Sequence, residues 1–504
     1  MTIQDRVNKL ISVLDKRKAE GFNPVEVLNR KSSRKDSRQI LIVGAGIAGI
    51  TMAWLLYRRG FTNIQILEAE SRIGGKIEST YRDEMPREMG ACYTQPAYHA
   101  IHELLVRFGL NQRIGVAGRV VHRDGGRRLP FGEDVINQLR ENMGVFWKRL
   151  PRKAIGLRVL LGLERYKFIH RRKLGYYSGQ LPPRPSPKIL AELALPFLDW
   201  LRENNLHVLI PLFRLFQSAQ GYGYLETVPA FYGLMWNTPE VIDIATEQMS
   251  GKGQGATLIK SGMISLIDAL VSDMEVSIQT DICVSRIYRG DNIVVEAQDS
   301  DGKMVRIEAD QIIVSAPHQK AIDWIDNPST LERDLMSSLV SSTMTTTLQS
   351  AVQNTCEKID SWFDNIVPGR DHRVITQRCT QAFIKPEELA KARIEDPVER
   401  VVYQYGEKPA ARQEIDRHYA EHQILIDSKK HRILERRYWP TYFAHWKSQG
   451  IRDGNPWRLF DMQGLNRTWW IGSSACFESI NDVVEYNLKL CDHYVDKTKS
   501  RLSR

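Results

Sequence analysis

The chain has 504 residues, 42% hydrophobic and 26% charged, which makes it globular and long enough for two or more domains. No apolar run approaches the ~18 to 20 uncharged residues of a membrane-crossing helix, and six cysteines without a C-x-x-C or regular spacing indicate neither a disulfide framework nor a zinc site. The formal charge of +10 speaks to solubility and non-specific attraction rather than to chemistry, so no specific nucleic-acid partner is expected and a reducing, cytoplasmic compartment fits best.

Ile3, Val7, Leu10, Ile11 and Leu14 share one helical side, which predicts an amphipathic docking helix before the linker Lys31-Ser-Ser-Arg-Lys-Asp-Ser-Arg38. Asp5, Asp15 and Glu20 argue against a transit peptide, which is normally poor in acids. Ile40 to Val43 then form the continuous apolar run expected of a strand buried on both faces. Gly44, Gly46 and Gly49 follow as G-x-G-x-x-G, where the first glycine allows a tight turn, the second lets backbone approach a pyrophosphate, and the third lets helix pack on strand. The predicted helix runs through Ile50, Ala53, Trp54 and Tyr57 to Gly60, and its bare amides and dipole offer an anion site at the turn. A second strand, Ile64 to Leu67, ends in Glu68, roughly 20 residues beyond the glycines, where a carboxylate meets a ribose hydroxyl. On these residues alone the dinucleotide is nicotinamide or flavin.

The continuation Glu68-Ala-Glu-Ser-Arg72-Ile-Gly74-Gly75-Lys76, with Glu88-Met-Gly90-Ala91, resembles the flavin-binding signature of the amine oxidase and phytoene desaturase superfamily. The resemblance implies FAD, with Gly75, Lys76 and Gly90 close to it. Most members carry arginine where this chain has Lys76, so a two-pronged phosphate contact becomes a single-point one.

Helical spacing at Ile101, Leu104, Leu105 and Phe108 leads to a basic segment, 148–173, in which ten lysines and arginines meet one acid, Glu164, and alternate with leucines, Tyr166 and Phe168. That mixture suits an amphipathic helix on an anionic membrane, the plainer alternative being a solvated helix with its apolar side in the core. The prolines of Leu181-Pro-Pro-Arg-Pro-Ser-Pro187 mark a linker. Leu195 to Leu201, Leu206 to Phe216 and Gly221 to Trp236 are apolar and aromatic, as the walls of a ligand pocket are.

Lys260-Ser-Gly262-Met-Ile-Ser-Leu266 resembles the superfamily's glycine lead-in to a helix of the flavin domain. Strands are expected at 276–278, 284–287, 293–295 and 305–307, with a hairpin turn at Asp301-Gly302, and the buried strand of Gln311 to Pro317 closes this unit. By resemblance Val284 holds the adenine end of FAD through its backbone. Strand character returns at 343–348, 401–405 and 436–439, and Tyr438 to Trp446 packs five aromatic rings into nine positions. Trp439 and Tyr442 are the candidates to enclose a substrate, and His445 the one histidine proposed as acid or base. Thr468 to Val484 resembles the carboxy-terminal signature, implying contact of Gly472 and Ile480 with the flavin ring, although many members have a small-residue pair at Asp482-Val483.

The implied fold is α/β: a Rossmann-like FAD-binding domain of the GR2 type (39–115, 251–326 and 455–504) interleaved with a mixed α+β substrate domain (116–250 and 327–454), after an N-terminal helix and linker (1–38). Pro196 to Trp200, the Gly221-Tyr-Gly223 turn and the stretch at Trp439 resemble most the bacterial polyunsaturated fatty acid isomerases. The expected function is FAD-dependent hydride transfer from a hydrophobic substrate, giving desaturation, oxidation or double-bond isomerisation. An amine or L-amino-acid oxidase is the alternative within the superfamily, and a non-catalytic membrane-surface protein the alternative outside it.

Overall fold

Ile40, Leu41 and Ile42 are fully buried, each worth about 1.5–3 kcal/mol relative to exposure, and the strand they form is the axis of the first of the two larger sheets among the described residues. The computed structural model describes residues 22–33, 35–115, 119–124, 126–142, 144–177, 181–249, 255–352, 359–380 and 397–496. The predicted amphipathic helix of Ile3 to Leu14 lies outside them.

Strand β1 (Asp36–Val43) turns through the glycines into helix α1 (Ile47–Arg58) and strand β2 (Phe61–Leu67). The chain next builds β3 (Arg119–His122), β4 (Arg128–Pro130), α2 (Phe131–Asn142), the long α3 (Arg152–Leu174) and α4 (Pro239–Met249). It returns through β5 (Ser277–Gln279), the antiparallel trio β6 (Cys283–Arg289), β7 (Ile293–Gln298) and β8 (Met304–Ala309), and β9 (Gln311–Val314). The second layer follows with β10 (Leu339–Val352), β11 (Ile359–Trp362), β12 (Val374–Cys379), β13 (Val398–Gly406) and β14 (Lys429–Trp446). Strand β15 (Thr468–Trp470) and helix α5 (Ile480–Leu490) come last.

Among the described residues the first sheet has the order β5-β2-β1-β9-β15, every pair parallel, with β1 between β2 and β9 in the register Ile40↔Ile64 and Ile40↔Gln311. The second has the order β14-β10-β13-β12-β11-β3-β4 and is antiparallel except where β11 runs beside β3. The expected strands of 276–307 and 311–317 lie close to their predicted positions. In contrast, β11 and β12 carried no alternating signal, because both are buried on both faces.

The long strand β14 is irregular where it matters most. Between the pairs Ser342↔Tyr442 and Met344↔Trp439, β14 advances three residues against two on β10. This bulge, placed at Pro440, which has no amide hydrogen to lose from the ladder, re-aims the side chains around it.

Candidate active site

The three glycines of the first turn answer to three different constraints. Gly44 has φ +105°, and a Cβ there would stand 2.4 Å from the Ser315 hydroxyl oxygen. At Gly49 a Cβ would lie 2.0 Å from the Gly44 carbonyl oxygen, so only glycine lets α1 pack on the turn. Gly46 is unlike both: a Cβ there would meet nothing nearer than the Gly75 Cα at 3.8 Å. The protein's own packing therefore does not require glycine at 46, and the space above it, closed opposite by Gly75, is kept for a group the chain does not supply. Glu68 braces the turn, its two carboxylate oxygens accepting from the amides of Ala45 (2.7 Å) and Glu70 (2.9 Å). Each oxygen keeps a lone pair for a ribose hydroxyl.

A cavity of about 1000 Å³ runs from this turn to the second sheet. Gly44, Gly46, Glu68, Gly75, Lys76, Gly90, Val284, Gly472 and Ile480 all line it, and Gly49 supports it from beneath. Thus the cavity brings together residues read from five separate stretches of sequence. Gly90 is held by packing, since a Cβ would stand 2.1 Å from the Lys76 carbonyl oxygen. Lys76 has a partner that its own stretch of sequence did not announce: its ammonium pairs with the buried Glu478 at 2.5 Å and lies over the Tyr442 ring at 5.9 Å, so a phosphate would share this cation with a carboxylate. Asp482 and Val483, where small residues were the pattern, divide their duties. The Ser479 hydroxyl caps α5 by accepting from the Asp482 amide, burial pushes the Asp482 carboxyl up to about 7, and Val483 lines the cavity.

Around the other part of the cavity stand Phe216, Tyr222, Trp236, Trp439 and Tyr442. Because of the bulge, Arg437 to Tyr442 all reach the wall, where a regular strand would have turned every second side chain away. Trp439 donates its indole N–H to the Thr346 hydroxyl at 3.3 Å, and Tyr442 its O–H to the Gln220 carbonyl at 2.8 Å. The rings of Tyr222 and Tyr442 are parallel within 5° at 6.1 Å. His445 is a correction to the sequence reading. Its ring stacks on Phe443 at 4.6 Å, bonds the Phe443 carbonyl through Nδ1, and does not line the cavity; burial drives its pKa down to about 4.

Sequence reasoning missed Arg119. It stands on β3, lines the cavity, and donates from Nη1 to the Ser361 hydroxyl at 2.7 Å. Among the described residues it has no carboxylate partner, and burial lowers its pKa with only the neighbouring Tyr93 phenol opposing. Tyr93 also lines the cavity, and burial pushes its phenol up to about 12, so it remains a neutral donor. The only signal in the sequence was an arginine in a short strand; its significance depends on β11, which pairs with it from Ile359 onward.

A glycine-floored anion turn joined to an apolar, aromatic chamber defines a dinucleotide-dependent enzyme that acts on a small molecule. The space at Gly46, the acid at Glu68 and the α5 amino end fit FAD along its length. Residues 47–352, more than half of the chain, match the profile of the flavin containing amine oxidoreductases, and the chain belongs to this family. It is accordingly a FAD-dependent oxidoreductase or isomerase. The polyenoic fatty acid isomerase of Ptilota filicina is 22% identical over 491 residues, 88% of this chain and 93% of that protein. The crystal structure of the CLA-producing fatty acid isomerase from P. acnes superposes with a TM-score of 0.73 at 20% identity, covering 92% of this chain and 100% of the other. Wild-type putrescine oxidase bound to putrescine gives 0.61 at 13% identity over 91% of this chain and 99% of that one. At these identities the structures establish the fold, a mixed α/β arrangement of the flavin amine oxidase kind.

Proposed function

We propose that the chain isomerises double bonds of long-chain unsaturated fatty acids. The observation that carries this reading is Arg119, a guanidinium without a carboxylate partner among the described residues, set in a cavity whose walls are mainly apolar and aromatic. A half-buried cation of this kind is costly unless an anion comes to it, and a fatty acid brings one carboxylate on a long apolar chain. The likeness to two fatty acid isomerases supports the same choice. A protonated amine would meet the reverse situation: the acid nearest the Tyr222 and Tyr442 rings, Glu478, is already matched by Lys76, and Arg119 would repel it.

In this reading a Rossmann-like unit (39–115, 251–326 and 455–504) carries FAD, and the remainder (116–250 and 327–454) carries the substrate. When bound, FAD supplies a two-electron acceptor that can also give the electrons back. The chain's own residues do the rest. Arg119 and Tyr93 hold the carboxylate, while Trp439 and Tyr442, fixed by their bonds to Thr346 and Gln220, hold the acyl chain in one pose and exclude water. Replacing Trp439 with alanine is expected to lower turnover about tenfold or more while FAD content stays near wild type; parallel losses of both would mean that the ring supports the cofactor instead.

Substrate deuterated at the carbon that gives up hydrogen separates the possible reactions. Isomerisation moves the label to a different carbon of the same molecule, with no external oxidant consumed. Loss of label, accompanied by oxygen uptake, would mean desaturation or oxidation. Flavin bleaching by amines with no response to any unsaturated acid would overturn the fatty-acid reading itself.

A further inference from the structure

Helix α3 has two apolar sides, and among the described residues only one is covered. Ile155, Leu163, Tyr166, His170 and Leu174 are buried, with Tyr166 donating to the Asn237 carbonyl at 2.7 Å and meeting Trp200 edge to face. That side is the ordinary amphipathic one. Opposite it Leu157 (58%), Leu161 (62%) and Phe168 (61%) are more than half exposed, and Leu160 (47%) stands beside them. Steps of four and seven put the first three on one line along the helix, where a solvated face would carry polar groups.

The rim of this stripe is basic. Lys153, Arg158, Arg165 and Arg172 are exposed along it, and the acid inside it, Glu164, is already paired with Lys167 at 2.5 Å. We infer that this face of α3 docks on an anionic phospholipid bilayer, the four side chains entering the interface and the cations meeting lipid headgroups. The contact is peripheral, since among the described residues no helix is long and apolar enough to cross a membrane. Charge selects the bilayer over a second copy of this chain, which would bring a rim of the same sign. On its inner side α3 packs against α4, whose Val241, Ile244 and Ala245 line the cavity. The lipid surface would therefore be separated from the chamber by two helices, α3 and α4. Docking itself does not depend on the fatty-acid reading.

The test is flotation of the full-length, flavin-loaded protein with vesicles of phosphatidylcholine, with and without phosphatidylserine. The protein should float with the anionic vesicles only, and less so as salt rises. Leu161→Asp combined with Phe168→Asp, both at exposed sites, should abolish flotation, and Lys153→Gln combined with Arg172→Gln should weaken it about 30-fold. Turnover of a water-dispersed substrate should not change in either variant. Failure to float with either vesicle overturns the proposal, as does wild-type flotation of the aspartate pair. So does a dimer in sedimentation equilibrium that the aspartate pair dissolves, because the occupant is then a second copy. Flotation combined with loss of the substrate's label would leave the docking intact and overturn only the isomerase reading.

Discussion

Gly46→Val should purify as folded, colourless protein. The side chain would enter the space between Gly46 and Gly75, where nothing of the chain stands closer than 3.8 Å to the new Cβ, so secondary structure and solubility should survive. The same atoms would occupy the approach of the FAD pyrophosphate to the turn, and the flavin-to-protein ratio should fall by at least tenfold. Gly49→Val supplies the contrast. There the Cβ would stand 2.0 Å from the Gly44 carbonyl oxygen, so the helix must leave the strand and the protein should not fold. Circular dichroism and the flavin absorption band, read on both variants, decide the matter. A yellow Gly46→Val protein with full flavin content would remove the turn from the cofactor site.

Arg119→Met should raise KM for free fatty acids far more than it lowers kcat. Truncating one partner of a buried, hydrogen-bonded charge pair costs roughly 2–5 kcal/mol, so kcat/KM should fall by between about 30-fold and several thousandfold. The methyl ester of the same acid brings no charge, and its kcat/KM should hardly move. The folded protein gives an independent readout. Without substrate, a half-buried guanidinium that among the described residues has only Ser361 as hydrogen-bond partner is a net burden, and its removal should leave Tm unchanged or raise it. A fall of several degrees in Tm with equal losses for acid and ester would make Arg119 a structural residue.

What could be read ahead of the structure follows from how local each signal was. The turn of Gly44 to Gly49 and the acid at Glu68 lie within one strand, helix and strand, where each residue's duty is set by its near neighbours. The same holds for the hairpins of 283–309, whose alternation is visible within each strand. Arg119 was illegible because its meaning arises only where β3 lies beside β11, and neither strand carries a pattern of its own. The ion pair of Lys76 was illegible for the same reason: its partner, Glu478, lies some four hundred residues along the chain and reaches it only after both glycine signatures have folded together. His445 stood in the right stretch of aromatic residues but on the wrong side of it. The bulge at Pro440 brings 437–442 to the cavity wall, and beyond it the backbone turns through Phe443 at φ +44°, a change that no periodicity announces.

The order of strands in the parallel sheet also governs the order in which the protein can be made. Strand β1 is made well before its neighbour β9, which comes from Gln311–Val314, and before the far strand β15, from Thr468–Trp470. Until those segments have left the ribosome, β1 has an open edge and a continuous row of apolar side chains with no cover. Pairing over such sequence distances is slow, because loop closure must precede the contacts that repay it. The sheet that carries the glycine turn is therefore complete only once β9 and β15 have both been made.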